Sequence, residues 1–202
     1  MGRMSEEKIF NSILKGIENA QRDCNTGSNS LLRQAPEYFT TVNIYQSLLE
    51  LFETDFLGSE MKPKDIRGKK RGRIAKGLRC NGRCDLVLWS AKSDKVSVAI
   101  EVKKDVQSCY LNDDIERLIH LVKNDSLDYA ISASVIYQKL GPSSNKNARD
   151  KIECILNDKK TEVERLAIRK SNGILRVKMI RNNLHEIQLN KYEDGSFENW
   201  LW

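Results

Sequence analysis

Three charged side chains stand at spacings that suit metal-assisted chemistry. Asp85 heads the apolar run Asp85-Leu-Val-Leu-Trp89, and Glu101 and Lys103 close the run Ser97-Val-Ala-Ile-Glu-Val-Lys103, two positions apart. Strand side chains alternate between faces. Val96, Val98, Ile100 and Val102 are therefore expected on one face, and Ser97, Ala99, Glu101 and Lys103 on the other. The second set is small, small, acid, base, so little bulk would crowd the charges. Two carboxylates at close range repel unless a cation lies between them, and a hard ion with oxygen ligands such as Mg²⁺ is the natural solution. Such an ion acidifies water and stabilises charge on a phosphate. A neighbouring ammonium adds a point charge for phosphate. Together these parts suit phosphodiester hydrolysis.

The elements that must position the three residues are a pair of strands, Asp85–Trp89 and Lys95–Val102, joined by a turn at 90–94. Antiparallel pairing would lay Asp85 beside the finishing end of the second strand. Upstream, Ile9, Ile13, Ile17 and Ala20 recur at helical spacing over Glu6 to about Gln21, before a loop at 25–30. Pro36-Glu37 opens a second helix with a stripe at Phe39, Val42, Tyr45, Leu49 and Phe52. Downstream, Ile115, Leu118, Ile119 and Val122 mark a helix over 113–122, whose Asp113-Asp114 opening suits a helix N-terminus. Asp128–Tyr137 reads as a strand and 147–167 as a long polar-faced helix. Ile174–Ile180 and Leu184–Leu189 read as a closing hairpin around 181–183. The order predicts a single α/β domain over 1–202, a central mixed β-sheet flanked by helices. It divides into an N-terminal helix and loop (1–30), a motif-bearing core (36–140) and a C-terminal helix and hairpin (141–202).

Residues 83–104, RCDLVLWSAKSDKVSVAIEVKK, resemble the motif hairpin of the PD-(D/E)XK nuclease superfamily, whose pattern is an Asp at a strand start followed by a hydrophobic strand ending Glu-x-Lys. Asp85, Glu101 and Lys103 match it residue by residue; the residue before the Asp is Cys84 rather than Pro. The resemblance spans roughly 36–140 and implies a restriction-endonuclease-like core. It implies that Asp85 and Glu101 hold Mg²⁺, with Mn²⁺ as a substitute, joined by the backbone carbonyl of Val102, and that Lys103 positions or activates the attacking water. Many members add a Glu from a preceding helix. Glu37 is the best match here and Glu50 the runner-up.

A basic segment precedes the motif. Residues 62–83 hold ten Lys or Arg against one acid, Asp65. A charge run is usually a solvated face, but this one leads into Asp85 and could neutralise phosphates on either side of a cut. Lys69, Lys70, Arg71, Arg73, Lys76 and Arg79 are the candidate nucleic-acid contacts. Double-stranded DNA is the substrate the resemblance implies, and a two-fold homodimer is the simplest way to cut both strands. The 202-residue chain carries a formal net charge of +6, with a pI near 9.0, consistent with a polyanionic partner. Five scattered cysteines do not make a disulfide framework or a zinc site. No apolar run approaches the roughly 20 residues a membrane span needs, and a cytoplasmic protein is expected. Two other classes fit the same sequence: an inactive nucleic-acid-binding module of this fold, and a regulatory domain whose basic loop docks an acidic partner.

Overall fold

The computed structural model describes residues 6–28, 32–51, 57–66, 82–89, 96–103, 111–123, 127–139, 148–171, 180–181, 185–189 and 193–201. In chain order these form helices α1 (Glu6–Ser28) and α2 (Glu37–Leu49), strand β1 (Leu57–Met61), the short helix α3 (Pro63–Ile66), and strands β2 (Cys84–Trp89) and β3 (Val96–Lys103). Helix α4 (Leu111–Lys123), strand β4 (Tyr129–Lys139), helix α5 (Ala148–Ser171) and strands β5 (Ile180–Arg181), β6 (His185–Leu189) and β7 (Glu193–Leu201) follow. The strands form a mixed sheet in the order β1-β2-β3-β4-β7-β5, with β6 also on β7. β2 pairs antiparallel with β3, and β3 runs parallel to β4. The parallel pair needs a crossover, and α4 lies in it.

Helices cover both faces of this sheet. On one face Leu86, Leu88, Val98, Ile100, Val102, Ile131, Ala133 and Val135 bury against Ile9, Ile13, Ile17 and Ala20 of α1 and Ile44 and Leu48 of α2. On the other, Val87 and Ala99 bury against Leu118 and Leu121 of α4. α5 packs beside α4 and against β4 and β7; it is joined to α4 by Asn112 Nδ2 donating to Glu162 Oε1 (2.5 Å) and by Lys123 Nζ donating to the Lys170 carbonyl (2.9 Å).

Several expectations need correcting. α1 runs on to Ser28, through part of the expected loop. The fully buried side of α2 is Thr40, Thr41, Asn43, Ile44, Ser47 and Leu48; of the expected stripe, Phe39, Val42 and Tyr45 are half-buried, with Phe39 and Tyr45 packed on the core, Leu49 is exposed, and Phe52 lies outside the described residues. The reason is a close helix crossing. A Cβ on Gly16 would lie 2.5 Å from the Ile44 Cα and 2.8 Å from its nitrogen, so α1 and α2 touch backbone to backbone. Small polar side chains fit such an approach where aromatics would not. Val96 leaves the face of Val98 and joins Val87 and Ala99, because the register jumps from Leu88↔Val98 to Trp89↔Val96 and leaves Ser97 over. One extra residue in a strand flips the alternation beyond it. At the C-terminus, β6 pairs with β7, a strand the hydropathy pattern did not announce, and Ile180–Arg181 pairs with Leu201 and Trp200 rather than with β6. The expected strand residues 174–179 lie outside the described residues. β1 was also unanticipated; Gly58 leaves room for the Trp89 ring, which would meet a Cβ there at 2.6 Å. That contact makes Trp89 a packing residue.

The α1–α2 crossing makes a direct prediction. Gly16→Ala should lower the unfolding free energy by about 1–3 kcal/mol through overpacking. Gly27→Ala, where a Cβ meets nothing within 4 Å, should be neutral or stabilising by up to about 1 kcal/mol. Urea denaturation of both variants checks the contrast.

Candidate functional site

The register of β2 on β3 decides where the three motif residues go. Pairing is regular at Leu86↔Ile100 and Val87↔Ala99, which sets Asp85 opposite Glu101. One step beyond the paired stretch, Asp85 Oδ2 accepts the Val102 N–H at 2.7 Å. The carboxylate of one strand is thus fixed on the peptide that joins Glu101 to Val102 in the other. The structure brings Asp85, Glu101 and Lys103 to one end of the hairpin, as expected.

Glu101 is the most deeply placed charge, with 1% of its surface exposed. Its neighbour across the parallel ladder is Ser132, and that of Lys103 is Ser134. Both serines are buried, and neither hydroxyl has a hydrogen-bond partner among the described residues. Above this small polar patch lies α4. Arg117 Nη2 donates to Glu101 Oε1, and it also pairs with Asp114 Oδ1 at 2.9 Å. Asp114 Oδ2 lies 3.1 Å from Lys103 Nζ, and Glu37 Oε1 lies 3.4 Å from the same ammonium. The ions form a chain, Glu37–Lys103–Asp114–Arg117–Glu101, with Asp85 one peptide away. Four carboxylates face two cations, a formal excess of two negative charges.

Electrostatics follow from that excess and from burial, which favours the neutral form of an acid. Burial raises the Asp85 carboxyl to about 6, against the pull of the Val102 amide and Lys103, with Glu37 and Glu60 adding repulsion. Burial, then Asp85, pushes Glu101 to about 8 despite Arg117. Burial also drives the Cys84 thiol well above its ordinary range, helped by Glu101, so it is an inert neutral neighbour. Burial pulls Lys103 down, but Asp114 and Glu37 outweigh it and its pKa lies above the usual lysine value. Glu60, next to Asp85 on β1, holds a left-handed backbone (φ 56°), a conformation that costs a non-glycine residue energy.

Of the expected site residues, Glu37 is on the first turn of α2 and reaches Lys103; Glu50 caps the far end of that helix and pairs with Lys15 instead. The Val102 side chain enters the core, and its amide is taken by Asp85. Lys69, Lys70, Arg71, Arg73, Lys76 and Arg79 lie outside the described residues. Sequence reasoning missed Asp114 and Arg117. The signal was present: Asp114, Arg117, Leu118 and Leu121 fall at i, i+3, i+4, i+7, so two charges lie on the buried stripe. Among the described residues no three His, Cys, Asp or Glu side chains gather as a metal centre, so the candidate set has two carboxylates and one carbonyl. No family model, no curated protein and no solved structure matches the chain. Among the described residues no helix is long and apolar enough to cross a membrane.

The raised carboxyls predict a pH dependence. Folded Asp85 and Glu101 hold protons that the unfolded chain releases near ordinary carboxylate pKa values. Stability therefore falls as pH rises through about 6 for Asp85 and about 8 for Glu101, then levels off. Urea midpoints measured in EDTA should decline from about pH 5 to about pH 9, and Asp85→Asn should flatten the lower part of that decline. Midpoints that rise over the same range would contradict the assignment.

Proposed function

We propose that the chain is a Mg²⁺-dependent endonuclease of the PD-(D/E)XK type, with a restriction-endonuclease-like core, that hydrolyses phosphodiester bonds in double-stranded DNA. The observation that carries the reading is the Asp85–Val102 hydrogen bond, which ties one motif carboxylate to the Glu-x-Lys strand at the end where Glu101 and Lys103 lie. The donor set fits a hard divalent cation: oxygen donors only, a formal excess of two negative charges, and two carboxyls short of positive charge. Asp85, Glu101 and the Val102 carbonyl would hold the ion. When bound, Mg²⁺ supplies neutralisation of the scissile phosphate and a more acidic water.

The chain's own residues do the rest. Asp85 and Glu101 are fixed by the sheet rather than by a loop, so their separation is set before substrate arrives. Lys103 is a held ammonium between Asp114 and Glu37. Its raised pKa makes it a donor at neutral pH, orienting a water or a phosphate oxygen rather than removing a proton. Glu37 acts through Lys103. The basic segment 62–83 neutralises phosphates flanking the cut, and a two-fold dimer would bring two such sites to the two strands. Restriction, phage defence and mobile-element roles all use this reaction, in a cytoplasmic protein.

One observation favours a second reading. Arg117 already holds Glu101, which competes with any ion and suits an inactive nucleic-acid-binding module of the same fold. Incubation of the full chain with plasmid DNA in Mg²⁺ or in EDTA separates the two. Cleavage in Mg²⁺ alone is expected, with Asp85→Ala and Lys103→Ala each at least about 100-fold slower. No cleavage by wild type, or cleavage by both variants at the wild-type rate, removes the nuclease reading. Binding offers an independent check. Replacing Lys69, Lys70, Arg71, Arg73, Lys76 and Arg79 by Ala should reduce the salt slope of DNA binding by up to roughly 5, about 0.9 per lost phosphate contact. An unchanged slope would place the contacts elsewhere.

A further inference from the structure

Helix α4 turns two charges toward the sheet, and both are nearly solvent-free: Asp114 is 3% exposed and Arg117 5%. Leu118 and Leu121 on the same side show that the packing would accept apolar residues. Buried ions are kept at a cost unless each finds its match. The match here is specific. Asp114 uses both oxygens, Oδ2 toward Lys103 Nζ at 3.1 Å and Oδ1 toward Arg117 Nη2 at 2.9 Å, while Arg117 also holds Glu101. One carboxylate thus links the two motif residues that stand two positions apart on β3.

We propose that Asp114 is the positioning residue for Lys103, and that through Arg117 it ties the place of the Glu101 carboxylate to that of the ammonium. A lysine has four rotatable carbons and no fixed direction of its own. Glu37 cannot supply that direction: it lies farther away, at 3.4 Å, and its side chain is 41% exposed against 4% for Asp114. Lys103 keeps 12% of its side chain exposed. The neighbours of Glu101 and Lys103 on β4, Ser132 and Ser134, are small and buried. Leu118 and Leu121, packed on Val87 and Ala99, hold Asp114 over β3, so the ammonium's place depends on how α4 sits on the sheet. The consequence for catalysis rests on the nuclease reading; the positioning itself does not.

The test observes the ammonium directly. In metal-free buffer, the full chain labelled with ¹⁵N-lysine should show a slowly exchanging Nζ signal that disappears in Lys103→Met. Its protons should give a nuclear Overhauser contact to the Asp114 Hβ protons, which requires no change at Asp114. In Asp114→Asn, checked for folding by circular dichroism, proton exchange at that signal should quicken at least roughly tenfold, the scale of a lost charged hydrogen bond. Glu37→Gln should change it less. If the wild type cleaves DNA, Asp114→Asn should lower kcat roughly 10–100-fold, with KM within about threefold. Absence of the Overhauser contact, wild-type exchange in Asp114→Asn, or a larger effect from Glu37→Gln overturns the proposal. A wild type that never cleaves removes the nuclease reading and leaves the ammonium measurement to decide the positioning on its own.

Discussion

The Val102 N–H donates a hydrogen bond to the side chain of Asp85, one residue beyond the last pair of the β2–β3 ladder. A buried N–H must find an acceptor. Here the acceptor is a carboxylate, and that choice places a negative charge at the sheet end where Glu101 and Lys103 already stand. The position of Asp85 is then as rigid as the sheet itself. β3 is central, with β2 on one side and β4 on the other, so no loop motion has to be stopped to hold the carboxyls together.

Charge balance governs everything built around that bond. Acids bunched in a low-dielectric site raise one another's pKa, and both motif carboxyls respond in that way. The protein supplies two internal cations, Lys103 from β3 and Arg117 from α4. These do not match four carboxylates. A divalent cation would close the gap, and the same accounting explains why Lys103 stays charged. Arg117 is the ambiguous member: it steadies Glu101, yet it occupies one of the oxygens that an ion would use. The balance between these roles separates an active centre from a closed structural network.

Much of this arrangement was legible in the sequence because it is local. The β2–β3 hairpin, the faces of Glu101 and Lys103 and the opening of α2 at Glu37 all follow from alternation, a short connection and a proline. What was not legible depends on tertiary contact. The polar buried side of α2 reflects a backbone contact between Gly16 and Ile44, which no hydropathy pattern encodes. The displacement of Val96 comes from the leftover Ser97. Asp114 looked like a helix-opening acid, and only the packing of α4 on the sheet reveals it between Lys103 and Arg117. β7 lacked the apolar alternation that marked the other strands, and its pairing with β4, from Ala133↔Leu201 to Lys139↔Gly195, is a long-range contact.

The most direct trial of the central claim, that Asp85 and Glu101 share one divalent ion, is anomalous diffraction from crystals of the full chain grown with Mn²⁺. One peak is expected at ordinary oxygen-ligand distance from Asp85, Glu101 and the Val102 carbonyl. Diffraction that shows no peak between the two carboxylates would contradict the claim.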